Sequence, residues 1–252
     1  MVMLKDSIVL ITGASQGIGN ACAKAFVQAG AKVILNGRDR DGLDALAKEL
    51  SGDCYVLPFD VRDRGAVEDA IASLPEAWQA IDILINNAGL SRGLDKLYEA
   101  DFQDWEEMID TNVKGLLYVT RQIVPGMVER GRGHIINIGS TAGHQTYPGG
   151  NVYCATKAAV KSITEGLKQD LLGTPLRVSS VDPGLVETNF SNVRFHGDTE
   201  RAEKVYQGLT PLTPEDVADV ILFCATRPPH VNLMDIVVMP VDQAPLMLFN
   251  RQ

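Results

Sequence analysis

Short, uninterrupted apolar runs alternate along the chain with longer stretches whose apolar residues recur every three or four positions. The short runs read as β-strands: Ser7–Thr12 (SIVLIT), Lys32–Leu35, Cys54–Phe59, Ile81–Ile85, Gly133–Ile138, Arg177–Val181 and Asp235–Val238. The longer stretches read as helices. Gly17–Gly30 gathers Ile18, Cys22, Ala25, Phe26 and Ala29 on one face, and Asp41–Leu50 and Asp63–Leu74 follow the second and third strands. A long helix is predicted over Trp105–Arg130 from the spacing of Val113, Leu116, Leu117, Thr120 and Val124, and another over Val152–Leu172. Pro214–Cys224 is helical, with Thr213 as N-cap and Pro214 in the first turn. Apolar strands separated by helices call for an α/β fold: a single-domain, doubly wound parallel β-sheet with helices on both faces. Phe190–Leu212 breaks the alternation and is too long for an ordinary connection. It predicts a lid inserted at about 188–212 in a domain spanning 1–252.

The chain has 252 residues, 45% of them hydrophobic and 22% charged, which suits one large α/β domain and neither a disordered nor a fibrous chain. No apolar run approaches the roughly 18 residues that span a bilayer. Met1–Ser7, leading straight into an apolar run, reads as the approach to a first strand and not as a secretory signal. No membrane partner is therefore expected. With 23 Lys plus Arg against 32 Asp plus Glu, the net charge of -9 leaves no basic stripe for a phosphate backbone, so no nucleic-acid partner is expected either. Cys22, Cys54, Cys154 and Cys224 lie far apart with no C-x-x-C, a poor disulfide or zinc pattern that points to a reducing, cytoplasmic compartment. His134 and His144 have no ligand partners at metal-site spacing, and no metal is expected.

Between the first strand and helix lies Thr12-Gly13-Ala14-Ser15-Gln16-Gly17-Ile18-Gly19. Its glycines let the backbone turn tightly and approach a pyrophosphate, and the helix N-terminus beyond offers free N–H groups and partial positive charge. A lone glycine triplet is usually a plain turn; strand before and helix after are what a dinucleotide site demands, and the fold is then Rossmann-like. At the end of the second strand, where NAD sites carry a carboxylate for the ribose 2′-hydroxyl, stands Asn36, followed by Arg38 and Arg40. A guanidinium binds a 2′-phosphate in two-pronged fashion, so NADP(H) is the expected cofactor, with Asp39 the residue that softens the preference.

Tyr153 and Lys157 are four apart on a helical stretch and project from one face. A phenol titrating near pH ~10 is a poor base, and a neighbouring ammonium lowers that value into a useful range. Ser140, at the end of the fifth strand, is placed to hold a substrate oxygen against Tyr153. Singly, Tyr-x-x-x-Lys is an ordinary surface pair; with Ser140 and the glycine turn it becomes a site.

Thr12–Gly19, Asn86-Asn87-Ala88-Gly89, Asn112, Ser140, Tyr153-x-x-x-Lys157 and Pro183-Gly184 occur in the order and spacing of the short-chain dehydrogenase/reductase family, which the chain resembles over nearly its whole length. The resemblance implies that Tyr153 is the general acid/base, that Lys157 lowers its pKa and holds the nicotinamide ribose, and that Ser140 orients the substrate oxygen. It further implies that Asn112 anchors a water relaying protons to Lys157 and that Asp60-Val61 meets the adenine. Asn87, Ala88 and Gly89 would line the cofactor, with Pro183, Gly184, Val186 and Thr188 at the nicotinamide end. Members of the family pack two long helices into a four-helix subunit interface, so a homotetramer is expected.

Tyr147–Tyr153, Glu187–Phe195 and Leu212–Val217 are similar to the branch that oxidises 3-hydroxy acids and includes NADP-dependent serine and allo-threonine dehydrogenases. A small 3-hydroxy acid needs a cation for its carboxylate. Arg194 is the candidate, with Arg92 and Arg251 as rivals and a lid-fixing ion pair as its plainer role. Gln145 and Tyr147 are expected to line the pocket between Ser140 and Tyr153, while Cys154 packs. Leu90, Leu94, Phe190 and Phe195 leave open a reductase of less polar ketones, diketones or 3-oxoacyl thioesters. A sensor that binds NADPH without turnover is the alternative from outside enzymology.

Overall fold

The computed structural model describes residues 4–244 and 247–252. Met1–Met3, the start of the stretch read as leading into the first strand, lie outside them. The chain opens with β1 (Ile8–Ile11), α1 (Gly17–Gln28), β2 (Lys32–Gly37), α2 (Arg40–Glu49), β3 (Cys54–Pro58), α3 (Arg64–Ala72), the short α4 (Glu76–Gln79) and β4 (Ile81–Asn86). It continues through α5 (Phe102–Ile109), α6 (Leu116–Arg130), β5 (His134–Ile138), α7 (Asn151–Asp170) and β6 (Arg177–Pro183). Two short helices, α8 (Phe190–Arg194) and α9 (Thr199–Tyr206), precede α10 (Pro214–Ala225) and β7 (Asp235–Val238). A small hairpin, β8 (Gln243–Ala244) with β9 (Leu248–Phe249), ends it.

The sheet order is β3-β2-β1-β4-β5-β6-β7, and its strand pairs are parallel, as the sequence pattern predicts. Chain direction across the sheet reverses between β1 and β4, and that crevice, at the carboxyl ends of the strands, is where such sheets bind ligands. On one face α1, α2 and α10 bury Phe26, Leu43, Leu46 and Ile221 with Val9, Ile11, Val33 and Leu35 of the strands. On the other, α3 and α6 bury Val67, Val119, Ile123 and Met127 against Leu10, Ile34, Leu84 and Ile135. Each such large side chain, fully buried, contributes about 1.5–3 kcal/mol by leaving water. The capping box at Thr213, in which its hydroxyl accepts from the Asp216 N–H while Asp216 accepts from the Thr213 N–H, starts α10 where Thr213-Pro214 predicted it.

One expectation is corrected. The helix read as continuous over Trp105–Arg130 is divided: α5 and α6 are joined by a π-helical turn, Asp110–Gly115. Hydrophobic spacing registers a helix face and is blind to one inserted residue in the hydrogen-bond ladder. The segment 190–212 carries α8 and α9 and is closed at its base, where Leu212 N–H donates to Leu185 O (3.0 Å) and Glu187 N–H to Leu212 O (2.9 Å).

Candidate active site

A cleft of about 1020 Å³ runs along the carboxyl ends of the strands, over the reversal point, and beneath α8 and α9. Of the residues singled out from sequence, Gly13, Ser15, Gln16, Gly17, Ile18, Arg38, Asp60, Val61, Asn87, Ala88, Gly89, Ser140, Tyr147, Tyr153, Lys157, Pro183, Gly184, Val186, Thr188 and Arg194 all line it. Gly19 and Asn112 stand behind its wall, and Gln145 points elsewhere and is exposed.

Gly13 takes a left-handed φ of 66° to leave β1, and a Cβ on Gly19 would collide with the Gly13 carbonyl and sit 2.6 Å from Asn87 Nδ2. The turn is thus as tight as its atoms allow. Asn87, at the end of β4, braces it by donating Nδ2 to Thr12 O (2.9 Å) and Gly13 O (3.1 Å). Thr12 Oγ1 in turn accepts from the N–H groups of Asn87 (3.0 Å) and Ala88 (2.9 Å). Thr12 is a functional residue the glycine pattern alone does not single out. Gln16 stands at the N-cap of α1 without a capping side-chain bond, its Oε1 accepting instead from Asn189 Nδ2 (3.1 Å), and the first turn carries no acidic residue. The helix start therefore presents amide N–H groups and partial positive charge to the cleft, a cradle that suits a pyrophosphate.

Asn36 is buried and donates Nδ2 to Leu57 O (3.2 Å) and Phe59 O (3.1 Å), tying β2 to the end of β3. Arg38 faces the cleft; Arg40 instead lies along α2 toward Asp44 at 3.7 Å. Asp39 accepts the Gly42 N–H as the N-cap of α2. With Asn36 neutral and Asp39 engaged in capping, Arg38 is free to meet a ribose 2′-phosphate. Asp60 is gripped by Arg62 through Nε and Nη2 (2.7 Å). Burial pushes its carboxyl up, but the Arg62 hydrogen bonds and charge, with Arg38 beyond, hold it below the usual carboxylate range.

Asn112 sits in the π-helical turn, where a wider loop re-aims one residue. Its Nδ2 donates to Leu90 O (2.8 Å) and Thr156 Oγ1 (3.0 Å), and its Oδ1 accepts from the Leu90 N–H (2.8 Å). The side chain thus locks the cleft wall to α7. Ser140 Oγ accepts the Ala142 N–H at 3.1 Å and opens the turn after β5. Lys157 is buried, and its Nζ donates to Ile138 O at 2.8 Å. Burial lowers its pKa to about 8, against the opposing charge of Asp182.

The sequence leads one to expect Lys157 to acidify Tyr153; in this structure burial weighs more on the phenol than the charges around it. Burial raises the Tyr153 phenol well above its ordinary value, helped by Tyr147, while hydrogen bonding with Ser140 and the charge of Arg194 pull it back. The Lys157 ammonium is turned to the Ile138 carbonyl, and Arg194 of α8 brings a guanidinium near the phenol ring. Arg194 Cζ lies 5.4 Å from the Tyr147 ring centre and 5.6 Å from that of Tyr153. Its Nη2 donates to the Tyr147 hydroxyl and its Nε to Gly93 O at 3.2 Å.

The rival cations are engaged as Arg194 is, and Arg251 also lines the cleft. Arg92 pairs with Glu107 (2.8 Å) and donates to Val193 O (2.6 Å); Arg251 reaches the backbone carbonyls of Val205 (3.2 Å) and Gln207. The lid adds Phe190, whose ring packs edge-on to Tyr153 at 5.6 Å, and Val193. Met247 and Phe249, near the chain end, close a wall that no motif announced. Cys154 packs under Tyr153 with Leu90 and Met108.

Comparison with known proteins fits this geometry. A family profile described as short chain dehydrogenase matches residues 7–198. NADP-dependent 3-hydroxy acid dehydrogenase YdfG of Escherichia coli (strain K12) is 52% identical over 238 residues, 94% of this chain and 96% of its own. Serine 3-dehydrogenase of Agrobacterium fabrum is 42% identical over 236 residues, 94% of each chain. Among solved structures, the closed form of serine dehydrogenase complexed with NADP+ superposes with a TM-score of 0.94 at 51% identity, covering 97% of this chain and 99% of that one.

Proposed function

The chain belongs to the short-chain dehydrogenase family, and from that premise we propose that it is an NADP-dependent oxidoreductase exchanging a hydride with the 3-carbon of a small 3-hydroxy acid of the serine, allo-threonine or 3-hydroxyisobutyrate type. The observation that carries the substrate class is Arg194, a lid guanidinium held over Tyr153 and Tyr147 in the same cleft as Ser140. A cation there, beside a hydroxyl-handling pair, suits a molecule whose carboxylate lies a few ångströms from its reacting hydroxyl.

The cofactor fits the residues present. The braced glycine turn and α1 N-terminus would hold the pyrophosphate, Arg38 the 2′-phosphate, and Asp60 and Val61 the adenine side. Thr188, Val186 and Pro183-Gly184 would flank the nicotinamide end. Bound NADP supplies the hydride acceptor or donor. Ser140 holds the substrate oxygen, and Tyr153 takes its proton during oxidation and returns it during reduction. Lys157 fixes the ribose and adds positive charge near the phenol once its ammonium is drawn from Ile138 O toward the site. Asn112, with its side chain engaged by Leu90 and Thr156, is left its main chain and one Oδ1 lone pair for a relay water. Residues 188–212 act as the lid that brings Arg194 in and excludes water.

Replacing Arg194 with Met tests the assignment. KM for the hydroxy acid should rise about 10- to 100-fold, the range of a charge-assisted hydrogen bond, while uncharged alcohols are spared. Equal damage to both would remove the carboxylate role. Leu90, Phe190 and Val193 also line the cleft, so preference for a less polar ketone is the outcome that would favour the second reading.

Exposed Phe102, Ile109, Leu117 and Val128 on α5 and α6 support a homotetramer built on the stretches Trp105–Arg130 and Val152–Leu172. No described helix is long and apolar enough to cross a membrane. Cys22, Cys54, Cys154 and Cys224 are free thiols, which supports a reducing, cytoplasmic setting.

A further inference from the structure

Behind Lys157 lies a second group of ionisable side chains. Asp182, on β6 and 1% exposed, accepts hydrogen bonds from Ser180 Oγ at one carboxylate oxygen and from His144 Nε2 at the other. His144 Nδ1 lies 3.0 Å from Lys161 Nζ on α7, and Lys161 reaches Asp235 of β7 at 3.2 Å. His144 Nε2 is 3.7 Å from the same Asp235. His144 has no spaced partners along the chain because these residues come from two strands, a helix and a loop that only the fold brings together. His144, Asp182 and Asp235 are close enough to share a cation, and the Lys161 ammonium already stands against His144 and Asp235, offsetting one of the two carboxylate charges.

The position of this network matters more than its composition. Gly139 has no room for a side chain: a Cβ there would run into Asp182 Oδ1 and lie 2.8 Å from Ser180 Oγ. Gly139 links Ile138, whose carbonyl holds Lys157 Nζ, to Ser140. The Asp182 carboxylate is therefore wedged against the bend that carries both functions. It is also the charged group acting on Lys157, opposing the burial that would strip the lysine of its proton.

We propose that Asp182 and His144 are positioning residues for Lys157 and Ser140: the His144-held carboxylate fixes the Ile138–Gly139–Ser140 bend and supplies the buried counter-charge that keeps Lys157 an ammonium. The groups that face Asp182 divide by sign. The Ser180 and His144 hydrogen bonds and the Lys157 ammonium of α7 favour its charged form, whereas burial and Asp235 of β7 oppose it and raise its pKa on balance, with Lys161 of α7 acting on Asp235. Without the His144 hydrogen bond, Asp182 protonates more readily, and Lys157 loses its proton at lower pH. Neither residue touches the reacting atoms.

The test rests on the oxidoreductase reading and is built to fail separately from it. Rates of NADPH-driven carbonyl reduction are measured against pH for wild type, Asp182→Asn and His144→Ala. Wild type should show an alkaline decline as Lys157 deprotonates. In Asp182→Asn that decline should move to lower pH by about one unit, the scale of a lost neighbouring charge. His144→Ala, altered in the loop after β5, should move it the same way by less. Affinity for NADPH at pH 6, where Lys157 is charged in each form, should stay within about twofold. Limbs that coincide with wild type, with only a uniform drop in rate, would overturn the proposal and leave Asp182 a plain buttress. No turnover by wild type would instead overturn the oxidoreductase reading itself.

Discussion

Tyr153 is pulled in two directions. It is buried against Phe190, Leu90 and Cys154, which disfavours the phenolate, yet a proton acceptor for an alcohol must visit that form. Oxidation should therefore quicken as pH rises, because the phenolate fraction grows below a raised pKa, whereas carbonyl reduction, which uses the phenol, should lack that rise. kcat/KM profiles in both directions check the sign. Tyr153→Phe should lower kcat by about 10²- to 10⁴-fold, the usual contribution of a positioned acid/base, while NADP affinity and Tm stay near wild type. A sensor without turnover would be indifferent to the change. At this scale the sequence was informative where a side chain's role follows from its place on an element, as with Tyr153, Lys157 and Ser140. It was uninformative about direction: Lys157 turns to Ile138 O, Gln145 to solvent, and Arg194 across the cleft onto two aromatic rings.

Among elements, the segment proposed as a lid and the π-helical turn shape the walls of the site. The lid is fastened to the loop after β4: Gly93 N–H donates to Arg194 O (2.8 Å), and Arg92 bridges Glu107 of α5 and Val193 O of α8. Arg92→Ala removes this bridge. Amide hydrogen exchange in α8 and α9 should then quicken and KM for substrate rise, with little change in exchange across β4 and β5. The strands were legible as runs of apolar residues because a parallel sheet buries both faces. The π turn was not, since Val113 and Leu116 keep helical spacing through it. Nor were α8 and α9, whose Thr199–Tyr206 stretch is largely polar and stands on the surface. The β8–β9 hairpin is two residues per strand, too short for any period to appear.

In the whole molecule, acid stability traces to a buried histidine. His134 of β5 is 2% exposed, with Nε2 2.8 Å from Ser179 Oγ of β6, and burial, reinforced by Arg177, lowers its pKa well below 6.5. Above pH 6.5 folded and unfolded chains both hold it neutral. Below that value only the unfolded chain takes up the proton, so stability falls as pH drops, by up to about 1.4 kcal/mol per pH unit for one group. Tm measured from pH 7 to 5 should decline, and His134→Gln should flatten part of the slope. Light scattering should find a tetramer if the exposed apolar face of α5 and α6 is an interface.

The most direct measurement is kcat/KM for NADP+-dependent oxidation of serine, allo-threonine and 3-hydroxyisobutyrate, each set against the matching alcohol that lacks the carboxylate. The account predicts that the acids lead by about 10- to 100-fold, the worth of a charge-assisted hydrogen bond at Arg194. Alcohols that match or outpace their acids would contradict it.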